Sequence, residues 1–208
     1  MIAFVVVLVG SYLLGSIPFG YLAGRIVGID IRQTGSGNIG ATNVVRVLGK
    51  RYGYSVFVLD FLKGFGAVKI SMVIAMGAPL QWNSPAMFGT IGAICSVVGH
   101  SFSPWLKFKG GKGVATSAGA LVALMPLAAL IGGAVWITVF WLTRYVSVAS
   151  IATAVVLPIT ILVIHWQEPS NGAAIFYGSL CVAAVVIWRH RSNLSRLMRG
   201  TEPRFTRK

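Results

Sequence analysis

Of the 18 Lys and Arg residues of this chain, 15 fall in three short clusters separated by long, mostly uncharged apolar stretches. Arg25 to Arg51 holds five, Lys107 to Lys112 three and Arg189 to Lys208 seven, while Lys63, Lys69 and Arg144 stand apart. No Lys or Arg lies between Lys69 and Lys107, between Lys112 and Arg144, or between Arg144 and Arg189. Positive charge gathered between apolar runs is the signature of a polytopic membrane protein, and the clusters then mark its cytoplasmic face. The conspicuous Gly, Ser, Asn and His residues lie in the same clusters. The working surface is therefore expected at the cytoplasmic lipid boundary.

Composition agrees. The chain is 56% hydrophobic and 11% charged with mean hydropathy +0.79, which excludes a disordered or ordinary soluble protein. The net charge of +14 does not point to nucleic acid, because it is dispersed at the ends of spans with no soluble module to carry it. Membrane lipid head groups and a phosphorylated substrate are the anionic partners expected. Cys95 and Cys181 lie inside apolar stretches and read as reduced packing residues. The opening MIAFVVVLVG has no basic residue before it and reads as an uncleaved first span with its N-terminus outside.

A crossing helix needs about 20 apolar residues. Ile2–Leu22, Tyr54–Met76, Pro85–Trp105, Val146–Trp166 and Ala173–Trp188 satisfy this, the second despite Asp60, Lys63 and Lys69. The run Val114–Thr143 is interrupted at Pro126 and at Gly132-Gly133. Parity decides how to read it. One crossing would put the seven-charge tail outside, whereas a hairpin near Pro126 puts every cluster inside. The expectation is an all-α membrane protein of seven helices, N-terminus outside and C-terminus cytoplasmic, forming one domain over residues 1–208. Trp105, Trp141 and Trp188 then fall at inner boundaries, and Trp82 and Trp166 at outer ones. The first arm of the hairpin, Val114–Met125, is short, and GVATSAGA at its start suggests close helix packing.

Gly35-Ser36-Gly37-Asn38-Ile39-Gly40 matches GxGxxG, with Asp60 twenty residues further on. A dinucleotide site needs that fingerprint between a buried strand and a helix, and here membrane spans flank it. No GK[ST] follows for a Walker loop. The shared physics survives, since glycines let backbone N–H groups approach an anion closely. Ser36, Thr42 and Asn43 add side-chain donors, and Arg46 a planar fork suited to phosphate. The plainer alternative is an interfacial turn with Arg46 facing lipid. In GHSFSPWLKFKGGKG, Lys112 sits between Gly111 and Gly113 at a helix start, like a phosphate lysine, or simply carries positive-inside charge. The tail WRHRSNLSR is a surface anchor or, with His190 and Asn193 three apart, part of a site. No HxxxxD, no GxSxG and no Cys/His metal cluster occurs, and only four residues are acidic.

Taken together, GSIPFGYL, DIRQTGSGNIGATNVVRVLGK, DFLKG, GHSFSPWLKFKGGKGVAT, TRYVSVAS and RHRSNLSRLMRGTEPRF closely resemble the bacterial acyl-phosphate:glycerol-3-phosphate acyltransferases. The resemblance runs over nearly the whole chain. It implies transfer of an acyl chain from acyl phosphate to the 1-hydroxyl of glycerol 3-phosphate at the inner membrane, with no cofactor and no metal. It carries phosphate binding onto Gly35, Ser36, Gly37, Asn38, Thr42, Asn43 and Arg46, then onto Gly111, Lys112 and Gly113. It places His190 and Asn193 in the same pocket, with Glu202 and Ser147 beside them. Ser36, Arg46, Lys112, His190 and Asn193 are the expected catalytic residues, and His190 is expected to donate to phosphate. One departure shows: Ile39 stands where the family commonly has proline. The rival reading, a transporter of a phosphorylated metabolite, lacks a paired half-repeat.

Overall fold

The computed structural model describes residues 1–78, 84–165 and 169–205, and within these the chain is all-helical. Ten α-helices follow one another: α1 Ile2–Ser16, α2 Phe19–Ile26, α3 Ala41–Leu48, α4 Lys50–Met76, α5 Pro85–Ser101, α6 Val114–Leu124, α7 Pro126–Thr143, α8 Val146–His165, α9 Pro169–Arg189 and α10 Arg191–Met198. Five segments among the described residues are long and apolar enough to cross a membrane: Ile2–Ile26, Pro85–Leu106, Pro126–Thr143, Val146–His165 and Gly172–Arg189. α4 has the length but carries Asp60, Lys63 and Lys69, and α6 is short. Trp82 and Trp166, expected at the far boundary, lie outside the described residues, as does Glu168.

The expected runs begin and end where local chemistry directs. Ser84 caps α5, its Oγ accepting from Met87 N at 3.3 Å, with Pro85 in the first helical position. Pro126 excludes the helical region for the residue before it, and Met125 accordingly has φ −145° and ψ 80°, which separates α6 from α7.

Directions follow from the contacts. α1 and α4 are antiparallel, since Ser11 meets Ser71 at 3.2 Å while Lys63 Nζ donates to Ile17 O at 2.7 Å. α1 and α5 are parallel, joined by Phe4 on Phe88 at 4.6 Å and by Tyr12 Oη donating to Phe102 O at 2.8 Å. α6 starts with Gly113 beside Val97 and reaches Leu124 beside Gly89, so it opposes α5. α7 then runs the other way. Met125 and Ala128 pack with Ile161 and Ile175, while further along Trp136 Nε1 donates to Ser150 Oγ at 3.1 Å. α9 runs with α5, Thr90 facing Gly178 at one level and Phe102 stacking on Trp188 at the next.

As a result the three polar clusters of the sequence emerge at one end of the bundle, here called the basic end. α2, α3 and α10 are short helices at that end, not additional long apolar ones.

Candidate functional site

The loop 34–40 between the 3₁₀ turn Ile31–Gln33 and α3 owes its shape to one side chain. Asn43 is fully buried; its Nδ2 donates to Thr34 O at 3.1 Å and Asn38 O at 2.9 Å, and its Oδ1 accepts from Ser36 N at 2.8 Å. The sequence suggests that Asn43 faces an anion. The structure instead turns its amide into the loop, where it holds the glycine turn in shape. Asn38 acts similarly, its Oδ1 accepting from Gly40 N at 2.7 Å. Gly35 has φ +59°, and a Cβ there would stand 2.3 Å from Asn43 Oδ1, so both strain and space reserve the position for glycine. Ser36 is exposed on this loop and Thr42 half-buried in the first turn of α3. Ile39, in place of the family's proline, is buried against Val44 and Ala23. It anchors the loop by packing, where a proline would have done so by stiffness.

Arg46 leaves α3 toward the C-terminal tail. Its Nη2 donates to Pro203 O at 3.3 Å, and its guanidinium lies over the Phe205 ring at 5.8 Å. Phe205 is held in turn by its N–H on Arg144 O at 2.9 Å and by Phe140. Residues 202–205 thus strap α3 to the start of α8. Nothing in the sequence signalled this contact.

The second cluster forms a pinned backbone. Gly110 N and Gly111 N donate to Ser101 O and His100 O at 3.2 and 3.0 Å, and Arg189 grips the two glycine carbonyls from α9, its Nε donating to Gly111 O at 2.9 Å. Gly113, in left-handed conformation with φ +79°, is the N-cap of α6. Lys112 precedes it, half-buried, and its Nζ donates to Asn193 Oδ1. Burial lowers the Lys112 pKa to about 8; Glu202 opposes this, while Arg196, Arg46 and Arg189 reinforce it. Arg46 of the first cluster therefore stands in the electrostatic neighbourhood of Lys112.

The third cluster begins where α9 ends. The helix breaks at His190 (φ −92°, ψ 4°), and α10 restarts at Arg191, so His190 and Asn193 share the first turn of α10 and not one continuous helix. They are 2% and 5% exposed. Asn193 Nδ2 donates to Glu202 Oε1 at 2.6 Å, and Ser147 Oγ donates to the same oxygen at 2.9 Å. Arg196 Nε donates to Glu202 Oε2 at 2.8 Å. Partial burial of Glu202 works to raise its pKa, but donation from Asn193, Arg196 and Ser147 outweighs it and holds the carboxyl ionised. The chain Lys112–Asn193–Glu202–Ser147 therefore joins four separate segments.

Which ring nitrogen of His190 carries a proton follows from its surroundings. Burial first, and the charge of Lys112 second, lower its pKa to about 4. Nδ1 lies 2.8 Å from Val186 O, and a carbonyl can only accept, so the neutral ring carries its proton there. Nε2 is then left as an acceptor, suited to a hydroxyl.

The described residues contain no group of three or more His, Cys, Asp or Glu placed to hold a metal. The arrangement instead combines glycine loops, two cations and a buried amide–carboxylate chain at the basic end of the bundle. It can bind anions and neutralise charge developing on oxygen.

A family model described as glycerol-3-phosphate acyltransferase matches residues 5–200. A glycerol-3-phosphate acyltransferase of Synechococcus elongatus is 47% identical over 196 residues, covering 94% of this chain and 91% of the relative. One from Desulforamulus reducens is 44% identical over 199 residues, covering 95% and 93%. Among solved structures, the glycerol 3-phosphate form of PlsY, an integral membrane glycerol 3-phosphate acyltransferase, is similar with TM-score 0.86 at 39% identity, covering 98% of this chain and 96% of that one. Its lysophosphatidic acid form has TM-score 0.83 at 38% identity, covering 98% and 95%.

Proposed function

Because this chain belongs to the glycerol-3-phosphate acyltransferase family, we propose that its basic end holds glycerol 3-phosphate beside an acyl phosphate and passes the acyl group between them. The protein is a membrane acyltransferase acting on glycerol 3-phosphate. Relatives give no support to the transporter alternative. The finer reading rests on one observation: Lys112, Asn193, Glu202 and Ser147 form a single chain of contacts, with Arg46 near by on the strap.

In this reading the 1-hydroxyl oxygen bonds to the acyl carbon, the bond from that carbon to the phosphate oxygen breaks, and inorganic phosphate leaves with the electron pair. An acyl phosphate is already activated, so the protein's work is to hold two anions together and stabilise the oxyanion. Lys112 and Arg46 offset the charge of the phosphates, and the hydroxyls of Ser36 and Thr42 with the N–H groups of Asn38, Ile39, Lys112 and Gly113 supply neutral donors, those of Ser36, Gly37, Gly40 and Gly111 being spent on the loops' own acceptors. Asn38 and Asn43 keep the first loop in register. Asn193, Glu202 and Ser147 aim Lys112. His190 Nε2 accepts from the attacking hydroxyl and orients it. With a pKa near 4 it is a weak base at neutral pH, so the proton ends on a substrate phosphate oxygen, whose own second pKa is about 6. No cofactor is required.

The test is donor choice. Purified protein should turn over acyl phosphate and show little or no turnover with acyl-CoA, because nothing at the basic end resembles a nucleotide-binding surface. Comparable kcat/KM on the two donors would defeat a site built around a bare phosphate.

The same reading includes the topology: one domain over residues 1–208 of a bacterial cytoplasmic membrane, seven crossings by α1, α4, α5, α6, α7, α8 and α9, N-terminus outside. What supports it is that all the basic clusters meet at one end and that α6 and α7 run in opposite senses. In a variant lacking Cys95 and Cys181, single cysteines at Asn83 and Asn171 should react with an impermeant thiol reagent in intact cells. Cysteines at Gln33 and Arg204 should react only after lysis. Labelling of position 204 from outside would sink the seven-crossing arrangement.

A further inference from the structure

Three ionisable side chains that the proposed reaction does not use are buried side by side beneath the glycine loop. Asp60 and Lys63 of α4 and His100 of α5 are 2%, 4% and 4% exposed. Lys63 Nζ lies 2.7 Å from Asp60 Oδ1, and His100 Nδ1 lies 3.6 Å from the same oxygen. Lys63 Nζ also donates to Ile17 O at 2.7 Å, where α1 ends. Groups like these are costly to bury inside an apolar helix bundle, and their default reading is functional.

What they touch gives the role. The His100 ring is packed beneath Gly111, so closely that a Cβ on that glycine would stand 2.1 Å from Nε2. The carbonyl of His100 accepts the Gly111 N–H as well. Lys112 is the next residue. The line therefore runs from Lys63 through Asp60 and His100 to Gly111, and ends on the cation that Asn193 receives. We propose that Asp60, Lys63 and His100 are positioning residues that set the backbone under Lys112, and so the point in space from which its ammonium meets phosphate. Lys63 pairs with the Asp60 carboxylate, the carboxylate faces the imidazole at ion-pair distance, and the imidazole is the floor on which Gly111 rests. The Lys63–Ile17 bond ties that floor to the end of α1.

The inference rests on the phosphate-binding reading of Lys112, and a double-mutant cycle separates the two. Affinity for glycerol 3-phosphate, measured by calorimetry on purified full-length protein, is the readout alongside kcat/KM. Asp60→Asn keeps the volume and should weaken binding about tenfold in the wild-type background. In the Lys112→Met background it should add less than about twofold, because a misplaced lysine costs nothing when the lysine is gone. Asp60→Asn also leaves Lys63 unpaired, so Asp60→Asn/Lys63→Met, which removes both charges, is the second variant and should give the same pattern. A purely structural role predicts equal losses in both backgrounds, and that result overturns the proposal. So does failure of both variants to fold, since the cluster would then be a structural anchor alone. A mild Lys112→Met by itself would overturn the site reading first, and this inference with it.

Discussion

Lys112→Met lowers kcat/KM roughly ten- to hundredfold while the protein stays folded. A charge-assisted hydrogen bond is worth about 1.5 to 3 kcal/mol, and each 1.4 kcal/mol is about a factor of ten. Lys112 is half-buried between two glycines, and its ammonium is the group that Asn193 Oδ1 receives. Arg46→Met should cost at least about tenfold on the same arithmetic, since its fork is already held in place by Pro203 and Phe205. Lys109 is exposed and not part of the chain of contacts, and Lys109→Met should change kcat/KM by less than about twofold. Equal mild effects at all three positions would mean that these cations serve lipid head groups.

The same lysine sets a pH limb whose sign is fixed. Lys112 is cationic below its pKa of about 8 and neutral above it, so kcat/KM falls as pH rises through about 8. Glycerol 3-phosphate gains its second charge near pH 6, which gives a rising limb on the acid side. Lys112→Arg keeps its charge over this range and should remove the alkaline limb while leaving the acid one. A profile in which both limbs survive that substitution would show that another group titrates near 8.

The positions of Lys and Arg carried the fold a long way, because apolar length and positive flanks are set by the bilayer and need no tertiary information. The helix break at Pro126 was legible for a similar reason, being a local steric effect of one residue on its predecessor. The site divided differently. Lys112, Asn193, Glu202, Asn43 and His190 all stood in motifs, but the motifs do not say which protein atoms Asn43 and His190 bond. What each bonds depends on where backbone carbonyls fall: Thr34 O and Asn38 O for Asn43, Val186 O for His190. The strap across Arg46 joins residues 157 apart in sequence and leaves no periodic trace. Asp60 and Lys63, by contrast, were visible as charges three apart in an apolar helix. Their meaning needed the neighbouring His100, which belongs to another helix.

Gly64→Val lowers the melting temperature in detergent by roughly 4 to 12 °C. Gly64 and Gly119 form the closest approach of α4 and α6: a Cβ on the first would stand 2.0 Å from Thr116 O, and one on the second 1.9 Å from Phe61 O. Helices in membranes associate through small residues of this kind, because lipid offers no hydrophobic drive to bring them together. The obstructing atoms are backbone oxygens, so no rotamer change relieves the clash, and the helices must separate. Overpacking typically costs about 1 to 3 kcal/mol and occasionally more, and at this chain length each kcal/mol shifts the midpoint by about 2 to 4 °C. Gly119→Val should act alike. A Cβ added at Gly10 or Gly133 would meet nothing within 4 Å, so valine at either should leave the midpoint within about 2 °C. α6 begins two residues after Lys112, and a displaced α6 carries the glycine loop with it. Activity measured well below the midpoint should therefore fall for Gly64→Val and hold for Gly133→Val. An unchanged midpoint in Gly64→Val would mean that α4 and α6 do not meet at these glycines.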